Sequence, residues 1–356
     1  MKRYNNLYSR LFSFENLLVA ANQAQKGKRF NPAVLQFNAR LEKELLYLSK
    51  TLQDHSYQPG GYTPFWVFDK GKKRYISRAP YRDRVVHHAL INIIKPVFDP
   101  TLITDCYANR KGKGTHRCVD HAQAFCAKNR YVLQCDISKY FPSIDHQILK
   151  QIVRRKISDS EILWLVDTII DASNEQEEPY CWYFPGDDLI TPLVRRRGIP
   201  IGNLTSQFFA NLYMSGLDHF VKEKLHCRFY LRYVDDFLCF DNEKGRLHEY
   251  KKKISIYLEG LRLVLHPKKS LVFPTRIGIP FLGYKIFPHY SRLSKQNSMG
   301  FRKRLQHYCQ EYSTGKKDLH DFTPSIQAWI AHAEHANTFQ LRKALFNEAV
   351  FTRKNS

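Results

Sequence analysis

The chain has 356 residues and carries 56 Lys and Arg against 33 Asp and Glu, a formal charge of +23. Its length suits two or three subdomains with cores of their own, and the cationic excess calls for a polyanionic partner, most simply a nucleic acid, with a membrane surface as the main alternative. No uninterrupted apolar run of about eighteen residues occurs, and no secretory or lipidation motif is found, so a soluble, cytoplasmic protein with no membrane partner is expected. The eight cysteines form no Cys-x-x-Cys pair, and several, such as Cys135 and Cys239, lie in apolar runs. Buried free thiols are therefore expected rather than zinc ligands or disulfides.

Taken in order, residues 1–60 read as helical. Leu7, Leu11, Phe14, Leu17 and Leu18 recur at helical spacing, as do Leu41, Leu45, Leu46 and Leu48. The basic stretch from Gln25 to Pro32 reads equally as a solvated linker or an RNA contact. Residues 62–78 alternate as two strands, Tyr62 to Phe68 and Arg74 to Ser77, around a cationic turn. A helix is expected from Val85 to Ile94, with Pro96 following it. Residues 106–117 form a Gly-rich basic loop without the Gly-Lys-Ser/Thr ending of a Walker loop. Phosphate contact through Arg110, Lys111 and Lys113 and a plain solvated turn are open alternatives there.

A short apolar strand covers residues 131–136, and helices are expected near His146 to Ile157 and Ile162 to Ala172. The acidic run Glu175 to Glu178 reads as solvated. A helix opens at the block 195–207 and runs to about Lys224, and another spans about Gly245 to Glu259. Strands are expected at Leu261 to Leu265, Leu271 to Phe273 and Phe281 to Phe287, before a basic helical tail from Arg292.

The centre of the chain is the apolar run from Arg228 to Phe240, which is interrupted by Asp235-Asp236. Burying two adjacent carboxylates is unfavourable unless they meet a cation or are exposed at a turn. A hairpin whose tip holds divalent metal satisfies both conditions. Alone, the pair reads evenly as metal site or turn, and Asp187-Asp188, after Pro185-Gly186, is an ordinary turn of the second kind. Asp136, at the end of another apolar strand, supplies the further carboxylate. Two cations about 3.5–4 Å apart, held by such groups, activate a 3′-hydroxyl and stabilise a leaving pyrophosphate. Hard oxygen ligands favour magnesium, with manganese as a substitute.

Ordered blocks then resemble reverse transcriptases over residues 60–290. They are a basic hairpin with Arg74, Cys135-Asp136-Ile137-Ser138-Lys139-Tyr140-Phe141, the Gly-Ile-Pro-x-Gly-x-x-x-Ser block at 198–206, Tyr233-Val234-Asp235-Asp236, Leu265 to Ser270, and Phe281-Leu282-Gly283-Tyr284. The resemblance implies an α+β right-hand polymerase fold with fingers, an antiparallel palm sheet plus helices, and a small helical thumb. The expected boundaries are an N-terminal helical extension at 1–60, fingers at 61–130 with part of 145–195, a palm at 131–290 and a basic thumb at 291–356. It implies Asp136, Asp235 and Asp236 as catalytic metal ligands, with the Ile137 carbonyl as a further ligand, and Lys269 as the catalytic residue that protonates pyrophosphate. Lys72, Lys73 and Arg74 would hold the triphosphate and Phe141 would exclude ribonucleotides. Ile201, Gly202 and Gln207 would line the nucleotide site, and Phe281, Leu282, Gly283 and Tyr284 would form the primer grip. Arg302, Lys303 and Arg304 suit phosphate contact along a duplex.

One departure narrows the type. Most reverse transcriptases have Gln before the Gly of the 198–206 block and Pro after its Ser, whereas this chain has Ile201 and Gln207. That combination resembles enzymes of diversity-generating retroelements, bacterial or phage-encoded, which copy a template-repeat RNA and misincorporate opposite adenine. The implied partners are template RNA, the RNA/DNA duplex, deoxynucleotides and a small basic pentameric accessory variability protein. The alternative is a retron or phage-defence reverse transcriptase, or an untemplated polymerase on the same scaffold.

Overall fold

Four short strands with apolar faces build the sheet that carries the carboxylates. The computed structural model describes residues 2–69, 72–173 and 182–353. β3 (Tyr131–Cys135) lies between β5 (Asp236–Asp241) and β6 (Leu271–Pro274), and β4 (Phe229–Tyr233) flanks β5, giving the antiparallel order β4-β5-β3-β6. Ahead of it, β1 (Thr63–Asp69) and β2 (Lys72–Arg78) form a separate two-stranded hairpin. After it, β7 (Ile279–Phe281), β8 (Tyr284–Ile286) and β9 (Ser291–Leu293) form a third sheet.

Two cores support these sheets. The larger joins the N-terminal helices, the helix Tyr81–Phe98, the helix Leu204–Tyr213 and one face of the β3–β5 pair. The smaller lies across the other face of that pair and runs through β7 and β8 into the C-terminal helices Lys295–Ser313, Leu319–Glu334 and Phe339–Asn347. The central sheet is thus covered on both faces, which explains why β3 to β5 read as nearly continuous apolar runs. Gln134 Nε2 donates to the Pro280 carbonyl at 2.8 Å and ties the central sheet to the third one.

Several elements differ from the sequence expectation. The helix expected to end before Pro96 continues to Phe98 with Pro96 inside it, because Val97 and Phe98 are buried in the larger core and burial outweighs one missing N–H. Leu261 to Leu265 is not a strand. Arg262 turns to φ +55, and only Leu265 pairs, as a single bridge to Ile137. Phe281 to Phe287 is two strands, because Leu282 (φ +49) and Gly283 (φ +90) make a tight turn between β7 and β8. The tail from Arg292 starts in β9 before it becomes helical. The helix expected through Lys224 is broken after Tyr213 and ends in a π-helical turn, Phe220–Lys224.

Glu175 to Glu178 lie outside the described residues, as does Cys181. The other seven cysteines are free, and all but the half-buried Cys309 are buried. Asp187-Asp188 does form a structural turn. Asp187 pairs with Arg195, and Asp188 Oδ1 accepts from the Ile190 and Thr191 backbone N–H groups at 3.0 and 2.6 Å. Among the described residues no helix is long and apolar enough to cross a membrane.

Candidate active site

The register of the central sheet brings the carboxylates together. Cys135 pairs with Phe237, so Asp136, one step beyond the end of β3, stands opposite Asp236. Directly opposed residues on antiparallel strands lie about 5 Å apart at Cα. Tyr233 pairs with Asp236, which leaves Val234 and Asp235 as a two-residue hairpin loop. Such loops need a positive φ, normally supplied by Gly or Asn. Here Val234 supplies it, at φ +59, a conformation that a β-branched residue keeps only when its surroundings hold it.

A second segment closes on Asp136. Ser138 N–H donates to the Val264 carbonyl at 2.9 Å and His266 N–H to the Asp136 carbonyl at 2.7 Å. This short pairing returns the turn 266–270 to the end of β3, where Lys269 Nζ forms an ion pair with Asp136 Oδ2. Ser270 Oγ donates to the Asp136 carbonyl at 3.4 Å.

The donor chemistry fits a divalent cation. The opposed carboxylates offer hard oxygens, the ligands that magnesium takes, and facing negative charges require a compensating cation. In this structure Lys269 supplies positive charge at Asp136. Among the described residues no group of three or more His, Cys, Asp and Glu side chains stands in ligating arrangement. Ile137 is buried and bridges Leu265 through its backbone.

The block at 198–207 is laced to its neighbours. Ile199 N–H donates to the Phe141 carbonyl at 3.1 Å and Gly198 N–H to the Ile144 carbonyl at 2.8 Å. Phe141 is half-buried, packed on the larger core and edge-on to Tyr140 with ring centroids 5.6 Å apart. Tyr140 is buried and donates to the Ala210 carbonyl at 2.6 Å. Burial first, and then the nearby Asp235 charge, holds its phenol protonated against the pull of Arg232. Ile201 is half-buried, and its carbonyl accepts from Ser77 N–H at 3.3 Å. Asn203 Nδ2 donates to the Ser77 carbonyl at 3.4 Å. Gln207 is half-buried in the first turns of the helix Leu204–Tyr213.

Gly202 has φ +113, and a Cβ there would sit 2.9 Å from Ile76 Cγ2 on β2. Gly202→Ala is therefore expected to push the β1–β2 hairpin off this block. A left-handed non-Gly residue costs about 1–2 kcal/mol before any clash, so the KM for deoxynucleotide should rise about tenfold. Steady-state kinetics would check this, with Ile76→Ala added to relieve the contact and recover part of the loss.

The remaining expected site residues are scattered. The side chains of Lys72 and Arg74 lie outside the described residues, and their backbones belong to β2. Lys73 Nζ lies over the Trp66 ring at 4.1 Å. Arg110 folds inward: it donates to Asp99 Oδ1 at 3.0 Å and to the Ile103, Cys106 and Asp99 carbonyls at 2.7, 3.2 and 3.2 Å. Lys113 donates to the Thr104 carbonyl at 2.7 Å, and Lys111 is exposed. Tyr284 is buried, and its hydroxyl donates to the His332 carbonyl at 2.8 Å, which anchors the Phe281-Leu282-Gly283-Tyr284 turn to the helix Leu319–Glu334. Arg302 pairs with Glu348, and Lys303 and Arg304 are exposed on the helix Lys295–Ser313.

Sequence reading missed Arg232. It is fully buried beneath the hairpin tip and paired with an equally buried Asp218. The signal was present, since an Arg inside an apolar strand is a buried charge that needs a partner.

The pattern of the reverse transcriptase (RNA-dependent DNA polymerase) family matches residues 60–286. The chain belongs to that family, and its fold is the right-hand polymerase fold. The family carries out RNA-directed DNA synthesis, a reaction for which it generally uses divalent metal ions, with RNA template and deoxynucleotides as the implied ligands. The chain is similar to Protein YkfC of Escherichia coli K12, 25% identical over 301 residues, covering 74% of this chain and 75% of that one. It is also similar to the group II intron-encoded protein LtrA of Lactococcus lactis, 21% identical over 239 residues, covering 66% of this chain but only 38% of LtrA. The putative COX1/OXI3 intron 1 protein of Saccharomyces cerevisiae is 21% identical over 230 residues, covering 62% of this chain and 26% of its own length. The chain thus spans well under half of the two intron proteins.

Proposed function

We propose that the chain copies RNA into DNA at Asp136, Asp235 and Asp236 with two magnesium ions, and that copying is error-prone opposite template adenine. The observation that carries the catalytic assignment is the β3–β5 register, which sets Asp136 against Asp236 beside the hairpin tip bearing Asp235. Divalent ions, when bound, supply Lewis acidity toward the 3′-hydroxyl and the triphosphate. The carboxylates orient that chemistry. Lys269, ion-paired with Asp136, would hold a proton at Nζ for the departing pyrophosphate. Phe141 would exclude the ribose 2′-hydroxyl, the β1–β2 hairpin would cover the nucleotide, and the β7–β8 turn would seat the primer. Residues 1–60 would serve as extension, 61–130 with part of 145–195 as fingers, 131–290 as palm and 291–356 as thumb.

Support for mutagenic copying comes from Ile201. An apolar side chain next to Gly202 offers no hydrogen bond to position the nascent pair, and a site without polar positioning discriminates less. Ile201→Gln is expected to lower misincorporation opposite template adenine about tenfold or more. The test is complementary-DNA synthesis on an adenine-containing RNA, with and without a small basic accessory protein, followed by product sequencing. Two strongly basic proteins repel, so such a partner would meet this chain across shared RNA. An adenine error rate unchanged by Ile201→Gln would refute the Ile201 argument. Faithful products from the unmodified chain would remove the diversification role and leave the polymerase.

A further inference from the structure

Arg232 lies at the end of β4, two residues before the loop residue whose carbonyl it holds. Its guanidinium is fully enclosed and its donors are all engaged. Nε donates to Asp218 Oδ1 at 2.7 Å and Nη2 to Asp218 Oδ2 at 2.6 Å, a two-pronged pair. Nη1 donates to Asn211 Oδ1 at 3.3 Å and to the Val234 carbonyl at 2.8 Å. Nη2 also reaches the Asn211 carbonyl and Cys106 Sγ, each at 3.3 Å. Asp218 is fixed in turn by the Tyr230 hydroxyl at 2.7 Å, and the Arg232 backbone is pinned by Asp105 O and Tyr107 N–H at 2.9 and 3.0 Å.

One of these bonds goes to the left-handed Val234. A pair that only glued the helix Ser215–His219 to β4 would have no need to reach the turn. Glycine would take the positive φ without strain, yet this loop has valine there and an external donor on its carbonyl. We propose that Arg232, anchored by Asp218, is a positioning residue for DNA synthesis: its Nη1 clamps the Val234 carbonyl and thereby fixes the turn that sets Asp235 and Asp236. The inference rests on the reading of those two aspartates as catalytic.

Three variants test the clamp. Arg232→Lys keeps a charge but loses the fork. Asp218→Leu with Arg232→Met removes both charges together, so no unpaired buried charge remains to unfold the chain. Val234→Gly relieves the turn. Misplacement of a reacting group by about 1 Å lowers turnover about a hundredfold, and that loss in kcat is expected for Arg232→Lys and for the charge-free pair, with the KM for deoxynucleotide little changed. Val234→Gly should restore about tenfold of it in either background, measured against Val234→Gly alone as the reference. A second readout needs neither metal nor substrate. Amide hydrogen exchange at residues 234–236 should quicken about tenfold in the charge-free pair, without global unfolding, and return toward normal when Val234→Gly is added.

If Arg232→Lys fails to fold, the charge-free pair decides. A folded charge-free pair with normal kcat and unchanged exchange at the tip overturns the clamp, as does loss of activity that Val234→Gly leaves untouched. Should the unmodified chain make no complementary DNA, the catalytic reading fails on that result alone. The exchange experiment would still report whether Arg232 holds the turn.

Discussion

Asp236→Asn is expected to lower complementary-DNA synthesis at least about a thousandfold while leaving the protein folded. The size of the loss follows from the geometry. Asp236 stands opposite Asp136 across β3 and β5, and a carboxylate that holds a catalytic cation contributes several kcal/mol of charge stabilisation, each ~1.4 kcal/mol being tenfold in rate. Asparagine keeps the shape and one oxygen but not the charge. The fold should survive because Asp136 keeps its ion pair with Lys269 and asparagine fills the same volume as aspartate. Primer extension measures the loss, and thermal unfolding checks that the protein stays folded. An Asp236→Asn protein that is folded and still active would remove Asp236 from the catalytic set. Lost activity with lost stability would mean that its role is structural.

The strands that carry the three aspartates were legible in the sequence because they obey local rules. Period-two alternation marks β1 and β2 to within a residue or two, and apolar runs ended by aspartate mark β3 and the β4–β5 hairpin. What escaped is non-local or conformational. Arg232 finds Asp218 across fourteen residues and a change of secondary structure, so the apolar run around it hides the pair. Leu261 to Leu265 alternates like a strand, but a left-handed Arg262 leaves one bridge. That bridge matters more than a strand would, because it returns Lys269 to Asp136. The β7–β8 turn reads as continuous strand because its first residue is leucine, which seldom takes positive φ. Arg110 reads as either a phosphate contact or part of a solvated turn from its basic, Gly-rich surroundings, whereas its guanidinium folds back on Asp99 and three carbonyls. Composition counts charges but does not show which of them are already engaged.

Phe141→Ala is expected to let ribonucleotides into the product, lowering the preference for deoxynucleotides about a hundredfold. Phe141 follows Tyr140 in the short helix Tyr140–Ser143, five residues beyond Asp136, and its ring is half-buried rather than sealed in the core. Its position is fixed from two sides. Its carbonyl accepts from Ile199 N–H at 3.1 Å, binding it to the 198–202 block, and its ring meets the buried Tyr140 edge-on. A ring so braced would resist displacement by an extra hydroxyl on the sugar. Overpacking of this kind costs about 1–3 kcal/mol, or roughly tenfold to a hundredfold in selection. Removing the ring also uncovers apolar surface, so a loss of about 1–2 kcal/mol in stability is expected beside the change in selectivity. Phe141→Leu separates the effects, since it keeps much of the buried volume but not the planar wall. Competition between deoxy- and ribonucleotides measures the outcome. Relaxed selection in both variants assigns the wall to the aromatic ring, whereas unchanged selection in both places the discrimination elsewhere in the nucleotide site.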